Sequence, residues 1–334
     1  MFIQIDGWYG GGKGVLWSLL DSHSEIFVSP LHEYSFAKLL DQDNTKEWLK
    51  KRYSTELRQI LAKSEYYKLE KVYYDGNIPI HFSADTHIDI PYDTDFYKFD
   101  ERFYKKLHKL EKWSLESIVN TLYETYFEEH TKSKDKYPKY YASMSHAGSY
   151  ELYKNIPNIM PTMKSIVVRR GIKNIIATRT NRKERPRDLN EKQAFRVPFN
   201  RVINSGEVET ICDYFSTYEK LQKEYPKQFM IVEFDELIKD TTNSMKKVAK
   251  FLDIEYEDIL SKPTRDGQIL EYKGMSFIGE ENDDYRMLLT QEEIDIIDRR
   301  IKWYKIHKQP YNIFSLKRNI IYYGIKLKAK LLGK

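Results

Sequence analysis

Residues 1–30 read MFIQIDGWYGGGKGVLWSLLDSHSEIFVSP, and the fold turns on them. Phe2, Ile3 and Ile5 form a short apolar run. Gly7, Gly10, Gly11, Gly12 and Gly14 then remove the side chains that would block a tight turn. Val15, Leu16, Leu19 and Leu20 follow at helical spacing, and a second strand leads to Pro30. Strand, glycine turn, helix and strand in this order predict an α/β protein with a mostly parallel central sheet.

The chemistry of the turn follows from its backbone. Successive N–H groups and a helix N-terminus converge on one point, which suits a phosphate or sulfate, and Lys13 adds a cation. Gly10, Gly11, Gly12, Lys13, Gly14 and Val15 are therefore the expected anion-binding loop. Gly7-x-x-x-x-Gly12-Lys13 has the spacing of a Walker A loop, but Gly14 stands where that loop needs Ser or Thr for magnesium. A nucleoside triphosphate enzyme would lose a metal ligand there, whereas an enzyme transferring a sulfuryl group from a phosphosulfate needs none. The bland alternative is a turn that only packs a helix on a strand. Five glycines in eight residues around a lysine weigh against it.

With 334 residues and 41% hydrophobic content the chain can bury a sizeable core, read as one domain over residues 1–314 with a basic tail at 315–334. A net charge of +5 suits an anionic ligand and does not call for nucleic acid. The 27 tyrosines fit either sugar-stacking surfaces or codon bias. Cys212 is the only cysteine, so a disulfide within the chain and a cysteine zinc site are excluded. His81, His87, His108 and His130 lack the His-x-x-x-His spacing of a helical metal site, and no metal is expected. A first strand at residue 2 and the lack of an 18-residue apolar run predict a cytoplasmic protein.

Beyond Pro30, His32 and Glu33 open a polar segment where α/β proteins place functional loops. Helices are expected over 45–71 and 113–129 and a long loop over 75–100. Residues 37–136 together read as a helical cap over the sheet edge, a region for the acceptor. A third strand at 139–144 is followed by His146. Residues 164–170, KSIVVRR, form a buried-type strand that ends in Arg169 and Arg170, with Thr178 two turns into the next helix. An arginine there can grip a phosphate through two parallel hydrogen bonds, with a hydroxyl adding another. Nine basic residues and a single acid, Glu184, lie between Lys164 and Arg187; the run reads as a solvated loop or as a seat for an anionic glycan. Residues 229–234 give a further strand, whose Glu233 or Asp235 a kinase would use as its magnesium carboxylate. Asn243 is expected to cap the next helix, and Thr290 with Glu293 the last one. The tail mixes Lys and Arg with Ile, Leu and Tyr. It reads as an amphipathic helix touching anionic lipid or as one docked on the body.

In combination these segments resemble the sulfotransferases that use 3′-phosphoadenosine 5′-phosphosulfate. Residues 16–26 resemble the helix after that family's phosphosulfate loop. Arg170 and Thr178 match the arginine and hydroxyl, eight positions apart, that hold the 3′-phosphate. Phe234-Asp235-Glu236-Leu237, Phe251-Leu252 and Leu289-Thr290-Gln291-Glu292-Glu293 resemble its Tyr-Glu-Asp-Leu, Phe-Leu-Gly and Leu-Thr-Pro-Glu-Glu stretches. Two departures stand out. Gly10-Gly11-Gly12-Lys13-Gly14 replaces the basic-Ser-Gly-Thr-Thr loop. Arg170-Gly171-Ile172-Lys173-Asn174 replaces the Arg-Asp-Pro-Arg-Asp run, which leaves Arg169 a rival to Arg170.

The resemblance implies sulfuryl transfer from 3′-phosphoadenosine 5′-phosphosulfate to an acceptor hydroxyl. Lys13 would steady the leaving phosphate, and Glu33 or His146 would take the proton. Glu33-Tyr34-Ser35-Phe36 is similar to the Lys-Glu-x-x-Phe segment of the glycan-modifying branch, implying a carbohydrate or glycolipid acceptor. His146 is similar to the histidine of the small-molecule branch, although Met144 occupies the place of that branch's lysine. The alternatives are a P-loop kinase and a non-catalytic protein that binds a nucleotide or glycan.

Overall fold

The computed structural model describes residues 1–32, 96–111, 114–129, 136–144, 156–180, 183–184, 193–194, 198–265, 267–269 and 284–308. Contacts divide the chain into two compact units, residues 1–169 with 218–281, and residues 170–217 with 282–334.

The first unit is built on five strands: β1 (Phe2–Gly7), β2 (Ile26–His32), β3 (Tyr140–Met144), β4 (Lys164–Arg169) and β5 (Phe229–Glu233). They lie in the order β2-β3-β1-β4-β5, and every neighbouring pair is parallel. Parallel sheets are covered on both faces, which is why these strands read as near-continuous apolar runs. Every residue of β1 and β3 is buried. Strand β1 is the one at which the order reverses. The chain leaves it toward β2 on one side, while β4 and β5 lie on the other, so its C-terminal end is a switch point where such sheets bind ligands.

Alternation along β1 assigns the two faces. Ile3 and Ile5 pack with Leu16, Leu19 and Leu20 of α1 (Lys13–Leu20), and with Leu237 of α7 (Phe234–Lys239) and Met245 and Val248 of α8 (Thr241–Leu252). Phe2 points the other way and stacks on Tyr123, ring centroids 4.8 Å apart, while Phe27 meets Phe127 edge-on at 5.2 Å. Tyr123 and Phe127 belong to α3 (Leu115–Glu129), whose Leu115, Ile118, Val119, Leu122, Tyr123 and Tyr126 form the apolar stripe that its helical spacing predicts. Ser114 and Ser117 close its N-terminus reciprocally, each hydroxyl accepting the other's backbone N–H at 3.1 and 2.9 Å.

Of the stretch 37–136, the described helices are α2 (Phe96–Lys109) and α3. The helix expected over 45–71 lies outside the described residues, as does the tail from 315. Helix α2 starts inside the stretch read as a loop. It is anchored by the buried Phe103 and Leu107, and Lys106 reaches both Glu124 and Glu128 of α3 at 2.6 Å. One capping assignment is corrected: the N-cap of α8 is Asp240, whose carboxylate accepts the Asn243 N–H at 3.2 Å, so Asn243 lies inside the first turn.

The described part of the second unit holds α4 (Ile172–Thr180), α5 (Phe199–Asn204), the first turns of α6 (Glu207–Glu224), α9 (Asp284–Leu288) and α10 (Gln291–His307). Helix α10 begins with the capping box that Thr290 and Glu293 predict. Its Arg300, 3% exposed, forks onto both oxygens of the equally buried Glu209 at 2.6 and 2.9 Å, and also donates to the Ile203 carbonyl at 2.8 Å. Three satisfied donors make this buried charge tolerable, and loss of either partner strands the other. Glu209→Ala is expected to cost about 3–5 kcal/mol of stability, measured as a lower denaturant midpoint. An exposed substitution such as Lys302→Ala on the same helix should leave the midpoint nearly unmoved.

Candidate active site

At the end of β1 the chain makes a turn in which the Gly11 N–H donates to the Trp8 carbonyl at 2.8 Å. Gly12 then serves as N-cap of α1 with φ of 85°. A Cβ at Gly12 would lie 2.2 Å from the Phe234 ring, so both the left-handed backbone and the packing demand glycine. The cap offers no side-chain bond, and the first turn of α1 carries no acid. Its N–H groups thus face the loop in the arrangement that receives an anion at a helix N-terminus. Gly14 differs from Gly12: a Cβ there would meet nothing among the described residues within 4 Å. The missing hydroxyl of the Walker pattern is therefore a chemical difference that packing does not impose.

Lys13 is 7% exposed, and its Nζ donates to the Gly7 carbonyl at 3.2 Å. The Tyr9 ring centroid lies 5.4 Å from the ammonium. Burial pushes Lys13 down to about 8, against the pull of the Asp6 carboxylate, which favours the charged form. At neutral pH the loop therefore still holds a cation, at a cost in desolvation.

Asp6 was not singled out from sequence. It is fully buried, its Oδ1 accepts the Gly7 N–H at 2.8 Å, and its Oδ2 accepts the Tyr218 hydroxyl at 2.8 Å. The available signal was a carboxylate inside a buried and largely apolar strand, a place acids occupy only when paired.

The two rival arginines part company at the end of β4. Arg169 donates from Nε to Glu233 Oε1 at 2.8 Å and from Nη1 to Glu219 Oε1 at 2.5 Å. Glu233, the carboxylate a kinase would offer to magnesium, is thereby taken up in an ion pair. Arg170, within the second unit and 7% exposed, turns its Nη1 to Thr178 Oγ1 at 3.3 Å. The Thr178 hydroxyl in turn donates to the Asn174 carbonyl at 2.9 Å, which leaves its oxygen facing the guanidinium. Sequence spacing placed these two residues on one side of a strand–helix turn, and the structure brings them into contact.

Glu33 and His146 lie outside the described residues. The strands before them end on register partners, His32 of β2 and Met144 of β3. Among the described residues, no group of three or more His, Cys, Asp or Glu side chains is arranged to hold a metal ion. No described helix is long and apolar enough to cross a membrane.

Residues 39–287, most of the chain, match the sulfotransferase domain family. The chain belongs to that family. It is a sulfotransferase, an enzyme of the class that takes its sulfuryl group from 3′-phosphoadenosine 5′-phosphosulfate. Among solved structures the sulfotransferase is similar to the sulfotransferase domain of the Synechococcus PCC 7002 olefin synthase, at 13% identity over 89% of this chain and 93% of that one, with a TM-score of 0.46. The sulfotransferase domain from the curacin biosynthetic pathway is 16% identical over 99% and 96%, TM-score 0.44. Mouse sulfotransferase SULT7A1 complexed with PAP is 15% identical over 51% and 68%, TM-score 0.36. No curated protein matches the chain in sequence.

The Lys13 environment makes a signed prediction. Its folded pKa, about 8, lies below the ordinary lysine value of 10.5, so the protonated form costs stability in full below pH 8, and that cost fades as pH rises toward 10.5. The melting temperature of the ligand-free wild-type sulfotransferase, taken relative to that of Lys13→Met, should therefore rise between pH 8 and 9.5 in a melting series.

Proposed function

We propose that this sulfotransferase modifies a hydroxyl on a carbohydrate or glycolipid, and that it does so without a metal ion. The observation that carries the donor end is the uncapped N-terminus of α1 with the buried Lys13 beside it. A turn held tight by Gly11 and Gly12, where a Cβ would strike the Trp8 carbonyl or the Phe234 ring, with a lysine in the first turn of the helix, fits a phosphosulfate end. The donor supplies, when bound, a sulfuryl group activated by attachment to a phosphate oxygen.

The roles of the chain's own residues follow. The loop 10–15 and Lys13 hold the 5′ end, and Lys13 steadies the negative charge that builds on the phosphate oxygen as its bond to sulfur breaks. Arg170 and Thr178 bind the 3′-phosphate. Their contact supports that assignment over Arg169, whose donors go to Glu233 and Glu219. Glu33 removes the proton from the acceptor hydroxyl as its oxygen bonds to sulfur. The glycan reading rests on Glu33-Tyr34-Ser35-Phe36 and its likeness to the glycan-modifying branch.

Calorimetric titration with adenosine 3′,5′-bisphosphate in the presence of a chelator is expected to show binding tighter than that of ATP. Stronger, magnesium-dependent ATP binding would overturn the metal-free reading. Arg170→Ala should lose about 1.5–3 kcal/mol of bisphosphate affinity, the range for hydrogen bonds to charged groups. Adenosine 5′-phosphosulfate, which lacks the 3′-phosphate, should barely notice the change.

Transfer of labelled sulfate to a panel of oligosaccharides, glycolipids and phenols tests the acceptor. Glu33→Gln should keep bisphosphate binding and lose most turnover on the glycans, with His146→Ala the milder change. The reverse ranking, with phenols preferred, would move the proton acceptor to His146 and the acceptor class to small alcohols.

A further inference from the structure

Asp6 has no role in the reaction as derived so far, yet it is a fully buried carboxylate at the root of the donor loop. Burying a carboxylate costs several kcal/mol unless its oxygens are bonded and its charge is met. Its bonds to the Gly7 N–H and the Tyr218 hydroxyl supply the first condition. The second is supplied across the same glycine. The Gly7 N–H faces Asp6 while its carbonyl receives the Lys13 ammonium, so one peptide residue is gripped from both sides by opposite charges. Gly7 cannot yield: a Cβ there would stand 3.1 Å from the Val168 carbonyl and 3.2 Å from Lys13 Cβ. Tyr218 is itself immobilised, fully buried and edge-on to Phe229 at 6.2 Å.

We propose that Asp6 is a positioning residue that keeps Lys13 charged and directed into the donor loop. The inference rests on the reading of Lys13 as the cation that meets the donor.

Glu233 at the end of β5 is held by Arg169, and Asp235 and Glu236 on α7 are exposed. The first turn of α1 carries no acid, and Val168, the β4 partner of Gly7, is apolar. Tyr9 presents its ring. Burial pulls Lys13 toward the neutral amine, and Asp6 is the group that opposes it. With that charge removed, the ammonium is lost at a lower pH.

The test uses the full chain. Reductive methylation of Lys13 in the ligand-free protein, quantified by mass spectrometry across pH 6.5–9.5, reads the midpoint at which the amine becomes reactive. Asp6→Asn keeps the shape of the side chain and removes its charge, so the midpoint is expected to fall by about half a unit or more. Bisphosphate affinity, measured by calorimetry, should drop by about twofold more at pH 8 than at pH 6.5, as a half-unit shift from about 8 dictates. Tyr218→Phe keeps the charge and serves as the structural control, with a midpoint near that of wild type.

An unmoved midpoint in folded Asp6→Asn would overturn the proposal and leave Asp6 a structural clamp. Asp6→Ser, which also removes the charge but leaves a polar group for the Gly7 N–H, provides a second route if Asp6→Asn does not fold. An unmoved Lys13 methylation midpoint in that variant would equally overturn the proposal. Wild-type protein that fails to bind the bisphosphate would sink the donor-site reading, while the two midpoints would still decide whether Asp6 governs Lys13.

Discussion

A carboxylate with no access to water sits at the end of the central strand, and much of the first unit is arranged to make that possible. Asp6 takes one hydrogen from the backbone of the next residue and one from Tyr218, which lies 212 positions away in the chain. The bond therefore ties the loop after β1 to a helix on the sheet's Phe2 face. On the opposite face Ile3 and Ile5 anchor the same strand in the apolar cluster under α1, α7 and α8. The strand is clamped from both sides, and the glycine turn leaves it from a fixed origin. Donor sites of this kind act by preorganisation, because groups already in place do not have to be reorganised when charge moves.

The second unit solves its own problem with a different charge pair. Arg300 and Glu209 are buried together and share two hydrogen bonds, a third joins Arg300 to the Ile203 carbonyl, and Asp213 accepts from the Tyr304 hydroxyl at 2.6 Å. Such networks are costly if incomplete, so they specify one arrangement of α5, α6 and α10 more sharply than apolar contact alone. Within this unit, Arg170 stands just before α4 and Thr178 about two turns into it, and the helix is held by ion pairs: Lys173 with Asp298 at 2.9 Å, and Arg179 with Glu207 at 2.8 Å.

The sheet was legible in the sequence because a strand buried on both faces must be apolar at nearly every position, and all five strands read that way. Helix α3 was legible because its apolar positions recur at helical spacing. Helix α2 was not, since it begins at Phe96 inside a stretch read as a loop, and its buried Phe103 and Leu107 are supplemented by Lys106 pairing with two glutamates of another helix. Asn243 misled for a related reason: both it and Asp240 are good capping residues, and only the backbone shows where the helix begins. For the candidate site, the glycine loop and the spacing of Arg170 to Thr178 could be read from the chain. Which of two consecutive arginines faces the threonine could not, because neighbours on a strand point to opposite sides and only distant partners distinguish them. Glu219 and Glu233, which engage Arg169, lie 50 and 64 positions further on. Asp6 and Tyr218 were hidden by distance in the same way.

The open space at Gly14 has a consequence for how such loops diverge. Nothing there would collide with a larger side chain, and glycine near the start of a helix is itself a small burden, about 0.5–1 kcal/mol against alanine. The backbone of this loop is thus already compatible with a hydroxyl residue, and a single substitution would recreate the magnesium ligand of a nucleotide triphosphatase without rebuilding the turn. Between two chemistries that share a cradle, the barrier at this position is one side chain wide.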